Sequence, residues 1–455
     1  MYNDFCKSIC LRLNLYENSL EDNMKRTYIA NLTEGECLIK GYVEAIRDKK
    51  IMFLVIRDVT GAVQVTIEKS VCPEVYEKAK ALTLHSFVAV TGKCVYSEYV
   101  RNGGKEIYPT DIDIMSIADV LPINAESGPD LRMDYRWIDL RDEKKVFLFK
   151  IQTAFERYAV EYFNKNGFIE IHTPKITALS SEGGSEVFEL KNYFGQPAYL
   201  TQSPQLYKQM SMMAGFDKTF EIGEYFRANP SFTSRHDTEF TGIDVEISFI
   251  ESHHDVMDVE EALLKYVIAG VKSEYNEEYK KYFGNDIITM DYDIPRISLT
   301  EAYDILKKEK NYEVPRALKG DLDPEGERLI CEYVKEKYNS DFVFIIDFPA
   351  KARAFYSMKQ DENPELTKTY DLLFKGIEIT SGAQREHRYE QLRQNIAEQG
   401  IDPENMHEYL EFFKYGAPTH GGFGLGITRT LVKLFDLPSV KDVTFLFRGP
   451  ARLKP

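Results

Sequence analysis

The sequence lacks both of the common phosphate-binding loops. Neither GxxxxGK followed by Ser or Thr, nor a GxGxxG placed between a strand and a helix, occurs in its 455 residues. If ATP is bound, it must therefore be held by another device. No apolar run is long enough to span a membrane, and the first residues contain no apolar signal-peptide segment. These absences predict a cytoplasmic protein with no membrane partner.

Cysteine is scarce, since the six residues are scattered and form no CxxC pair. Cys6 and Cys10 have no second cluster that could complete a zinc tetrahedron with them. Scattered thiols fit a reducing cytosol. The formal net charge of -16 argues against simple electrostatic capture of nucleic acid, although a local basic groove can lie on an acidic protein.

The first part of the chain, after an appended segment at residues 1–26, has the pattern of a small barrel. Short apolar strands separated by Gly and Asp are predicted at residues 38–43, 51–57, 62–67 and 86–92. Cys72-Pro73 opens a helix-like insert before the fourth strand, where proline suits a first helical turn. This order predicts a five-stranded oligonucleotide-binding β-barrel at residues 27–118, with a barrel that binds no ligand as the alternative.

The rest of the chain mixes helices and strands without regular βαβ alternation. Residues 119–142, rich in Pro, Asp and Arg, are interpreted as a hinge. Apolar residues then recur at helical spacing from Leu148 to Tyr162, and Gly167 ends this helix. We therefore predict an α+β chain, in which residues 143–455 form a catalytic domain built on a large antiparallel sheet flanked by helices.

A polar hairpin in the middle of the chain provides candidate phosphate ligands. Arg227 leaves its first strand, and Arg235 and His236 precede its second. The planar fork of arginine suits phosphate oxygens, and the ring of Phe240 offers a face on which a purine can stack. A hairpin with surface arginines is the alternative.

A glycine-rich segment near the C-terminus supports a nucleotide site. His420–Arg429 contains four glycines and is followed by an apolar helical stretch. Glycine lets the backbone approach a ligand closely, and Arg429 enters at the helix start. A tight packing corner without a ligand is the alternative.

Three segments together resemble motifs 1, 2 and 3 of the class II aminoacyl-tRNA synthetases, in order and in spacing. They are Gly167–Pro174, the hairpin with Phe226-Arg227-Ala228 and Arg235-His236, and the turn Gly424–Arg429. The barrel before them is similar to the anticodon-binding domain of the subgroup for aspartate, asparagine and lysine. The resemblance covers residues 27–455, and it is to aspartyl-tRNA synthetases of the archaeal and eukaryotic type, which have no bacterial insertion domain.

Within this subgroup the amino-acid pocket favours aspartate. Residues 201–209 resemble the QSPQxxKQ signature of aspartyl enzymes, which implies that Ser203, Gln205 and Lys208 bind aspartate. Lys208 and Arg385 are predicted to supply the two cations that a side-chain carboxylate needs. A lysine pocket requires acidic groups instead, and an asparagine pocket should not hold two uncompensated cations. The i, i+3 spacing puts Gln205 and Lys208 on one helix face, with a solvated helix residue as the alternative for Lys208.

The resemblance also implies the reaction, in which ATP and aspartate form aspartyl-adenylate and the aspartyl group is then transferred to the 3′ end of a tRNA. Arg227 is implied to contact the α-phosphate, Arg429 the γ-phosphate, and Arg235 with His236 the pyrophosphate end. Positioning and charge stabilisation are expected to supply most of the catalysis.

Other contacts follow from the same resemblance. Glu378 and Ser381 match the positions that hold Mg²⁺ in relatives, as hard oxygen ligands should. Glu378 and Gly426 are further implied to contact ATP, and Ser381 to contact aspartate. Glu182 lies in a loop that resembles the family's substrate-closing loop and would meet the aspartate ammonium group; an ordinary surface turn is the alternative.

In the barrel, Phe53 and Gln64 match positions that in relatives stack on and hydrogen-bond anticodon bases. A core position in an apolar strand is the alternative for Phe53. Arg47, Lys49 and Lys50 add local positive charge nearby. The resemblance thus implies tRNA(Asp) as a partner and a homodimer, in which motif 1 forms the subunit interface.

Three positions depart from the family pattern. Asn229 replaces the usual glutamate that contacts the adenosine or the tRNA end, and Thr428 removes a carboxylate near the triphosphate. Glu44 matches neither pattern expected where relatives of different tRNA choice differ, so charging of tRNA(Asn) besides tRNA(Asp) stays open. Two rival functions are an asparagine synthetase that uses the same adenylate, and an inactive RNA-binding or scaffold relative.

Overall fold

A computed structural model describes residues 24–100, 103–178, 187–230, 233–315 and 318–455. Most of the predicted appended segment, and the predicted aspartate ligand Glu182, lie outside the described residues. The chain forms two compact units that divide between Ile138 and Asp139. Each unit is described by itself below.

The first unit contains a closed five-stranded barrel, which confirms the predicted fold. Its strands are β1 (Gly35–Asp48), β2 (Ile51–Asp58), β3 (Gly61–Glu68), β4 (Phe87–Tyr96) and β5 (Lys105–Ser116), in the order β1-β2-β3-β5-β4. Helix α1 (Pro73–Lys80) lies between β3 and β4, with proline in its first turn. Alternate residues such as Met52, Leu54 and Ile56 fill the barrel core, as the two-residue period of a strand requires.

The second unit is built on an eight-stranded sheet with the order β11-β12-β13-β14-β15-β10-β9-β6. Its strands are β6 (Ile169–Glu170), β9 (Lys218–Phe226), β10 (Glu239–Ser248), β11 (Arg296–Ser298), β12 (Phe342–Ile346), β13 (Thr369–Phe374), β14 (Ile377–Gln384) and β15 (His420–Gly426). Two further strands, β7 (Ile176–Thr177) and β8 (Tyr199–Leu200), pair separately. The predicted antiparallel sheet is correct for its centre, but the pairs at its two edges are parallel.

Helices and short helical turns accompany the strands. They are α2 (Pro129–Asp134), α3 (Arg136–Asp139), α4 (Glu143–Lys165), α5 (Gln205–Met213), α6 (His253–Phe283), α7 (Leu299–Glu309), α8 (Pro324–Tyr338), α9 (Tyr389–Glu398), α10 (His407–Lys414), α11 (Ile427–Leu434) and α12 (Val440–Val443), with 3-10 turns at Ile29–Asn31, Ala350–Ala352 and Pro403–Met406. In the described part of the chain, no helix combines the length and apolar character needed to cross a membrane.

The segment that resembles motif 1, Gly167–Pro174, directly follows helix α4 and contains the edge strand β6. The Asp142 side chain caps the start of α4, and Gly167 beyond its end has φ +75°, a conformation that glycine adopts without strain. The ring of Phe163 on α4 stacks on Phe220 of β9 at 4.3 Å between centroids. This contact packs the helix against the sheet that carries the hairpin.

A buried carboxyl group supports the sheet from the side of α6. Glu260 is fully buried, and the hydroxyl of Tyr370 on β13 donates a hydrogen bond of 2.7 Å to its Oε2. The ring of Tyr370 packs so closely on Gly382 of β14 that a Cβ there would come within 2.3 Å of it. Burial raises the pKa of Glu260 to about 8, while the Tyr370 hydrogen bond opposes this shift. Glu260 is therefore a neutral acid through the neutral pH range.

Replacement of Glu260 by glutamine is expected to stabilise the protein at high pH. Because the folded pKa lies above the unfolded value, the contribution of Glu260 is fully present below pH 4.5 and is lost as the pH rises through 8. At about 1.4 kcal/mol per pKa unit, the difference amounts to several kcal/mol. The melting temperature of E260Q minus that of wild type should thus increase from pH 5 to pH 8.5; a constant difference would contradict a neutral Glu260.

Candidate active site

The centre of the eight-stranded sheet forms the floor of a cleft of about 320 Å³, which we call the inner pocket. β10 pairs with β9 on one side and with β15 on the other, so the predicted hairpin and the glycine-rich segment lie next to each other. Side chains that line the inner pocket include Gln202, Ser203, Gln205, Lys208, Tyr225, Arg227, Phe240, Asp244, Arg353, Tyr356, Glu378, Ser381 and Arg385.

A neighbouring cavity, the outer pocket, shares part of this lining. Arg227, Phe240, Glu378, Ser381, Gly424 and Gly426 line both pockets, and Asn229, Arg235, His236, Asp237, Thr428 and Arg429 line only the outer one. Every residue predicted from the sequence to bind ATP or aspartate lines one of the two pockets, except Glu182, which lies outside the described residues. The structure thus brings together residues that are up to about 230 positions apart in the chain.

The two pocket cations are paired with carboxylates, so the expectation that they are uncompensated is wrong. Lys208 Nζ lies 3.0 Å from Asp244 Oδ1 and 3.5 Å from Glu246 Oε2. Arg385 donates from Nε and Nη2 to the two carboxylate oxygens of Glu246, at 3.0 and 3.3 Å. The side chains of Lys208 and Arg385 are only 3% and 4% exposed, and at such depth an unpaired charge is too costly.

These pairings determine how readily each of the two cations can bind a ligand. Lys208 Nζ also donates to the carbonyl oxygens of Phe423 at 3.0 Å and Val245 at 3.3 Å, so its three hydrogens already have acceptors. Within the described part of the chain, Arg385 Nη1 has no hydrogen-bond partner. A ligand carboxylate can therefore bind Arg385 directly, whereas Lys208 must first exchange one of its bonds.

The glycines of β15 make room for these carboxylates. Gly422 lies opposite Glu246 and Gly424 opposite Asp244 in the β10–β15 register. A Cβ on Gly422 would come within 2.2 Å of Glu246 Oε2, and one on Gly424 within 3.2 Å of Asp244 Oδ1. The glycines therefore allow a close approach to the backbone. At these two positions, the groups that approach are the carboxylate side chains that hold the pocket cations.

Asp244 and Glu246 were not identified from the sequence, although a signal exists. They alternate with Ile243, Val245 and Ile247, and this period of two places both acids on one face of β10. A carboxylate on the site face of a buried strand requires a cation nearby. The identity of that cation depends on β14 and α5, which are distant in sequence.

Helix α5 positions the segment that resembles QSPQxxKQ. Gln205 and Lys208 are both buried and both line the inner pocket, so Lys208 is not a solvated helix residue. Gln205 Nε2 donates to Gln209 Oε1 at 3.0 Å, and the hydroxyl of Tyr409 donates to the same oxygen at 3.0 Å. Ser203 lines the pocket just before the helix.

The candidate phosphate ligands lie around the outer pocket. Arg235 Nη1 donates to Glu327 Oε2 on α8 at 2.7 Å, and Arg429 Nη1 donates to the carbonyl oxygen of Glu378 at 3.0 Å. The Arg227 guanidinium lies 5.2 Å from the centre of the Phe240 ring. Burial, and then the positive charges of Arg429, Arg235 and Arg227, lower the pKa of His236 below its usual value. The three arginines therefore act electrostatically on one small region.

Asp237, which lines the outer pocket, was also not identified from the sequence. Burial raises its pKa to about 7, and its Oδ2 has no hydrogen-bond partner within the part of the chain that the structure describes. It lines the outer pocket together with Asn229 and Thr428, the two positions that depart from the family pattern. A carboxyl group is thus present in the outer pocket even though both expected glutamates are replaced.

Oxygen-bearing side chains of Glu378 and Ser381 line both pockets, and Asp371 lies beside them on the neighbouring strand. Ser381 on β14 is directly opposite Asp371 on β13, and Glu378 is opposite Leu373 on the same strand pair. Burial and the charge of Asp371 raise the pKa of Glu378, while the charges of Arg429 and Arg353 oppose this shift. Among the described residues no group of three or more acidic, His or Cys side chains could hold a metal by itself. A divalent ion at Glu378 and Ser381 would therefore need further oxygen ligands from a substrate or from water.

The predicted anticodon residues lie together on the outer face of the barrel. In the β2–β3 register, Phe53 is opposite Thr66 and Gln64 is opposite Val55. Phe53 is half-buried and is not part of the barrel core, so the alternative of a core residue is wrong. Gln64 Nε2 lies 3.3 Å from Thr66 Oγ1 and 3.4 Å from Glu106 Oε2. Glu44 pairs with Arg57 on the same barrel, at 2.8 Å from its Nε.

Comparison with known proteins agrees with this geometry. Residues 128–448 match the family described as tRNA synthetases class II (D, K and N), and residues 37–115 match the OB-fold nucleic acid binding domain. The chain is similar to an aspartate–tRNA(Asp) ligase of Pyrococcus abyssi, with 41% identity over 95% of this chain and 100% of the relative. It is equally similar to an aspartate–tRNA(Asp/Asn) ligase of Methanopyrus kandleri, with 41% identity over the same shares of both chains.

The fold is similar to that of a solved structure, the asparaginyl-tRNA synthetase of Pyrococcus horikoshii complexed with asparaginyl-adenylate, with a TM-score of 0.88. The two sequences are 32% identical, and the match covers 95% of this chain and 100% of that chain. The fold is thus shared between enzymes for different amino acids, and the sequence identity is higher to the two aspartate ligases, at 41%, than to this asparaginyl enzyme, at 32%. The chain belongs to the class II tRNA synthetases of the aspartate, lysine and asparagine group, and within it to the aspartate–tRNA ligase family.

Proposed function

We propose that the protein activates L-aspartate with ATP in the inner and outer pockets and transfers it to tRNA(Asp). The observation that carries this proposal is Arg385, a buried arginine that lines the inner pocket and is fixed by Glu246 through Nε and Nη2, which leaves Nη1 without a hydrogen-bond partner among the described residues. A planar guanidinium held in one orientation suits the side-chain carboxylate of aspartate. Ser203, Gln205 and Ser381 line the same pocket and supply polar contacts.

The first step joins the α-carboxylate of aspartate to the α-phosphorus of ATP. A carboxylate oxygen forms a bond to phosphorus while the bond between phosphorus and the bridging oxygen of pyrophosphate breaks, so aspartyl-adenylate and pyrophosphate result. Arg227 is proposed to stabilise charge on the α-phosphate, and Phe240 to stack on the adenine. Arg429 is proposed to bind the γ-phosphate. Such preorganised donors lower the barrier because they need no rearrangement during the reaction.

The pyrophosphate end of ATP is assigned to Arg235 and His236, and Gly426 lets the backbone approach the nucleotide. Mg²⁺ is proposed to bind Glu378 and Ser381, with Asp371 as a further carboxylate from the facing strand. When bound, this ion neutralises charge on the phosphates. Glu182 stays proposed as the partner of the aspartate ammonium group.

In the second step the terminal ribose hydroxyl of the tRNA attacks the carbonyl carbon of the adenylate, and AMP leaves. We propose that Phe53 stacks on an anticodon base and that Gln64 hydrogen-bonds one, since single-stranded loops are read in this way. Their position on the exposed face of one hairpin supports this assignment.

We further propose a homodimer in the cytoplasm. The segment around β6 has exposed apolar side chains, with Ile169 46% and Ile176 43% exposed, and β6 is an edge strand of the sheet. Exposed apolar residues on an edge strand favour an interface there. The free cysteines that the structure describes, Cys37, Cys72, Cys94 and Cys331, fit a reducing compartment.

The most informative experiment charges purified tRNA(Asp) and tRNA(Asn) side by side with labelled aspartate. The relatives include ligases named for tRNA(Asp) alone and for both tRNAs, so the breadth of tRNA choice must be measured. Labelled tRNA(Asp) is the expected result. Release of free asparagine with ammonia, without any charged tRNA, would instead favour the rival asparagine synthetase.

Replacement of Phe53 by alanine is expected to raise KM for tRNA(Asp) without changing aspartate-dependent ATP–pyrophosphate exchange. Loss of one base stack costs about 1–3 kcal/mol, or roughly 5- to 150-fold in affinity. Val59, an exposed apolar residue in the turn of the same hairpin, provides the control variant V59A. Equal KM values for the two variants would reject the assignment of Phe53.

A further inference from the structure

The guanidinium group of Arg353 lies at the proposed metal site. The reaction described above gives this group no role. Its Nη1 and Nη2 donate to the two carboxylate oxygens of Asp371, at 3.0 and 2.5 Å. Nη1 also lies 3.4 Å from Ser381 Oγ. The guanidinium carbon is 3.5 Å from the centre of the Phe348 ring, so the group is held from behind as well. Arg353 lines the inner pocket, with a side chain that is 15% exposed.

The position of this guanidinium bears directly on metal binding. Asp371 and Ser381 are direct neighbours across β13 and β14, and Glu378 lies on the same strand pair. A divalent ion bound by these groups needs lone pairs of Asp371, and each oxygen of Asp371 already accepts one hydrogen bond from Arg353, so the ion must share that carboxylate with the guanidinium. The guanidinium is also a positive charge in contact with two of the proposed ligands, and close like charges cost several kcal/mol.

We propose that Arg353 is a positioning residue which keeps the Asp371–Glu378 carboxylate pair closed to a free divalent ion, so that the metal enters only together with the triphosphate. The inference rests on the proposed function, since it assumes that the site uses a metal–ATP complex. ATP brings phosphate oxygens that complete the metal shell and negative charge that compensates both the ion and the guanidinium. A free ion brings neither of these.

An alternative role for Arg353 is to hold Asp371 in the geometry that a metal needs. The two roles predict opposite effects on a bare ion: removal of a competing cation strengthens binding, and removal of a support weakens it. The measurement must therefore be made without nucleotide and without catalysis.

The test uses Mn²⁺ as the probe and full-length protein without nucleotide, with free Mn²⁺ measured by electron paramagnetic resonance. The variant R353Q is expected to bind one Mn²⁺ at least about tenfold more tightly than wild type, because a like charge is removed from the site. The added substitution D371N should abolish this gain. Unchanged or weaker binding by R353Q, or a gain that survives D371N, would overturn the proposal.

Wild type alone gives a second test that does not depend on the folding of R353Q. Without nucleotide, wild type is expected to bind Mn²⁺ at Asp371 no more tightly than about 1 mM, the range of weak oxygen-ligand sites. Micromolar binding that is lost in D371N would contradict the proposal. Aspartate-dependent pyrophosphate exchange by wild type tests the proposed function separately, so failure of one does not imply failure of the other.

Discussion

Replacement of Arg385 by glutamine is expected to lower kcat/KM for aspartate in ATP–pyrophosphate exchange by about a thousandfold, because a buried charge-assisted contact is worth about 4 kcal/mol. Arg385 is 4% exposed and fixed by Glu246, so a contact with a substrate carboxylate would be made by a preoriented, largely desolvated charge. ATP binding should change little, since the predicted triphosphate ligands line the outer pocket. Exchange kinetics at varied aspartate concentrations measure this effect.

The main complication is that R385Q leaves Glu246 with only Lys208 as a cationic partner, at 3.5 Å. Loss of one partner of a buried ion pair can destabilise the fold by about 3–5 kcal/mol. The double variant R385Q/E246Q removes both charges and controls for this effect. It is expected to fold but to remain deficient in aspartate activation. Activity within tenfold of wild type in the double variant would refute the role of Arg385.

Replacement of Arg227 by alanine is expected to reduce the rate of adenylate formation by about 10²- to 10³-fold, which is the usual cost of removing one preorganised donor to a developing charge. Arg227 lines both pockets and lies against the face of Phe240, so it can reach the phosphate nearest to the sugar. The loss should fall on kcat more than on KM for ATP, because the contact strengthens in the transition state. Single-turnover formation of aspartyl-adenylate gives this rate directly.

Arg227 is exposed, so its loss should not unfold the protein. Arg393 on α9 is an exposed arginine that pairs only with Glu404 at 3.4 Å, and R393A is therefore the matched control. Retention of more than a third of the wild-type rate by R227A would contradict the assignment. R227K should recover only part of the loss, because lysine has no planar fork.

The barrel could be predicted well because its strands are marked by short-range sequence patterns. The strands at β1 to β4 have short apolar runs bounded by Gly and Asp, and Pro73 begins α1 as expected. β5 has mixed polarity and an irregular burial pattern along Lys105–Ser116, and no strand was predicted there by its residues. The overall five-stranded fold followed from the order of the other elements. The parallel edge pairs of the large sheet escaped prediction because the edge strand of each pair, β6 or β11, has only two or three residues.

Most residues of the candidate site were predicted from the sequence. The carboxylates that pair with its cations were not. The hairpin arginines were identified by type and spacing, and Lys208 and Arg385 through the resemblance to aspartyl enzymes; all of them line two adjoining pockets. Their partners Asp244 and Glu246 were missed because pairing depends on the register of β10 with β15, which sequence does not reveal. The pairing of both cations with carboxylates also weakens the argument that charge alone distinguishes aspartate from asparagine. The preference for aspartate therefore depends on the orientation of Arg385 and on likeness to aspartate ligases.

The central claim is tested most directly by ATP–pyrophosphate exchange of the wild-type protein with aspartate, asparagine or lysine as the only amino acid, in the presence of Mg²⁺. Aspartate is predicted to support exchange, and asparagine and lysine are predicted to give only the rate seen without amino acid. Exchange supported by asparagine but not by aspartate would contradict the account of the inner pocket, and the absence of exchange with all three would contradict activation itself.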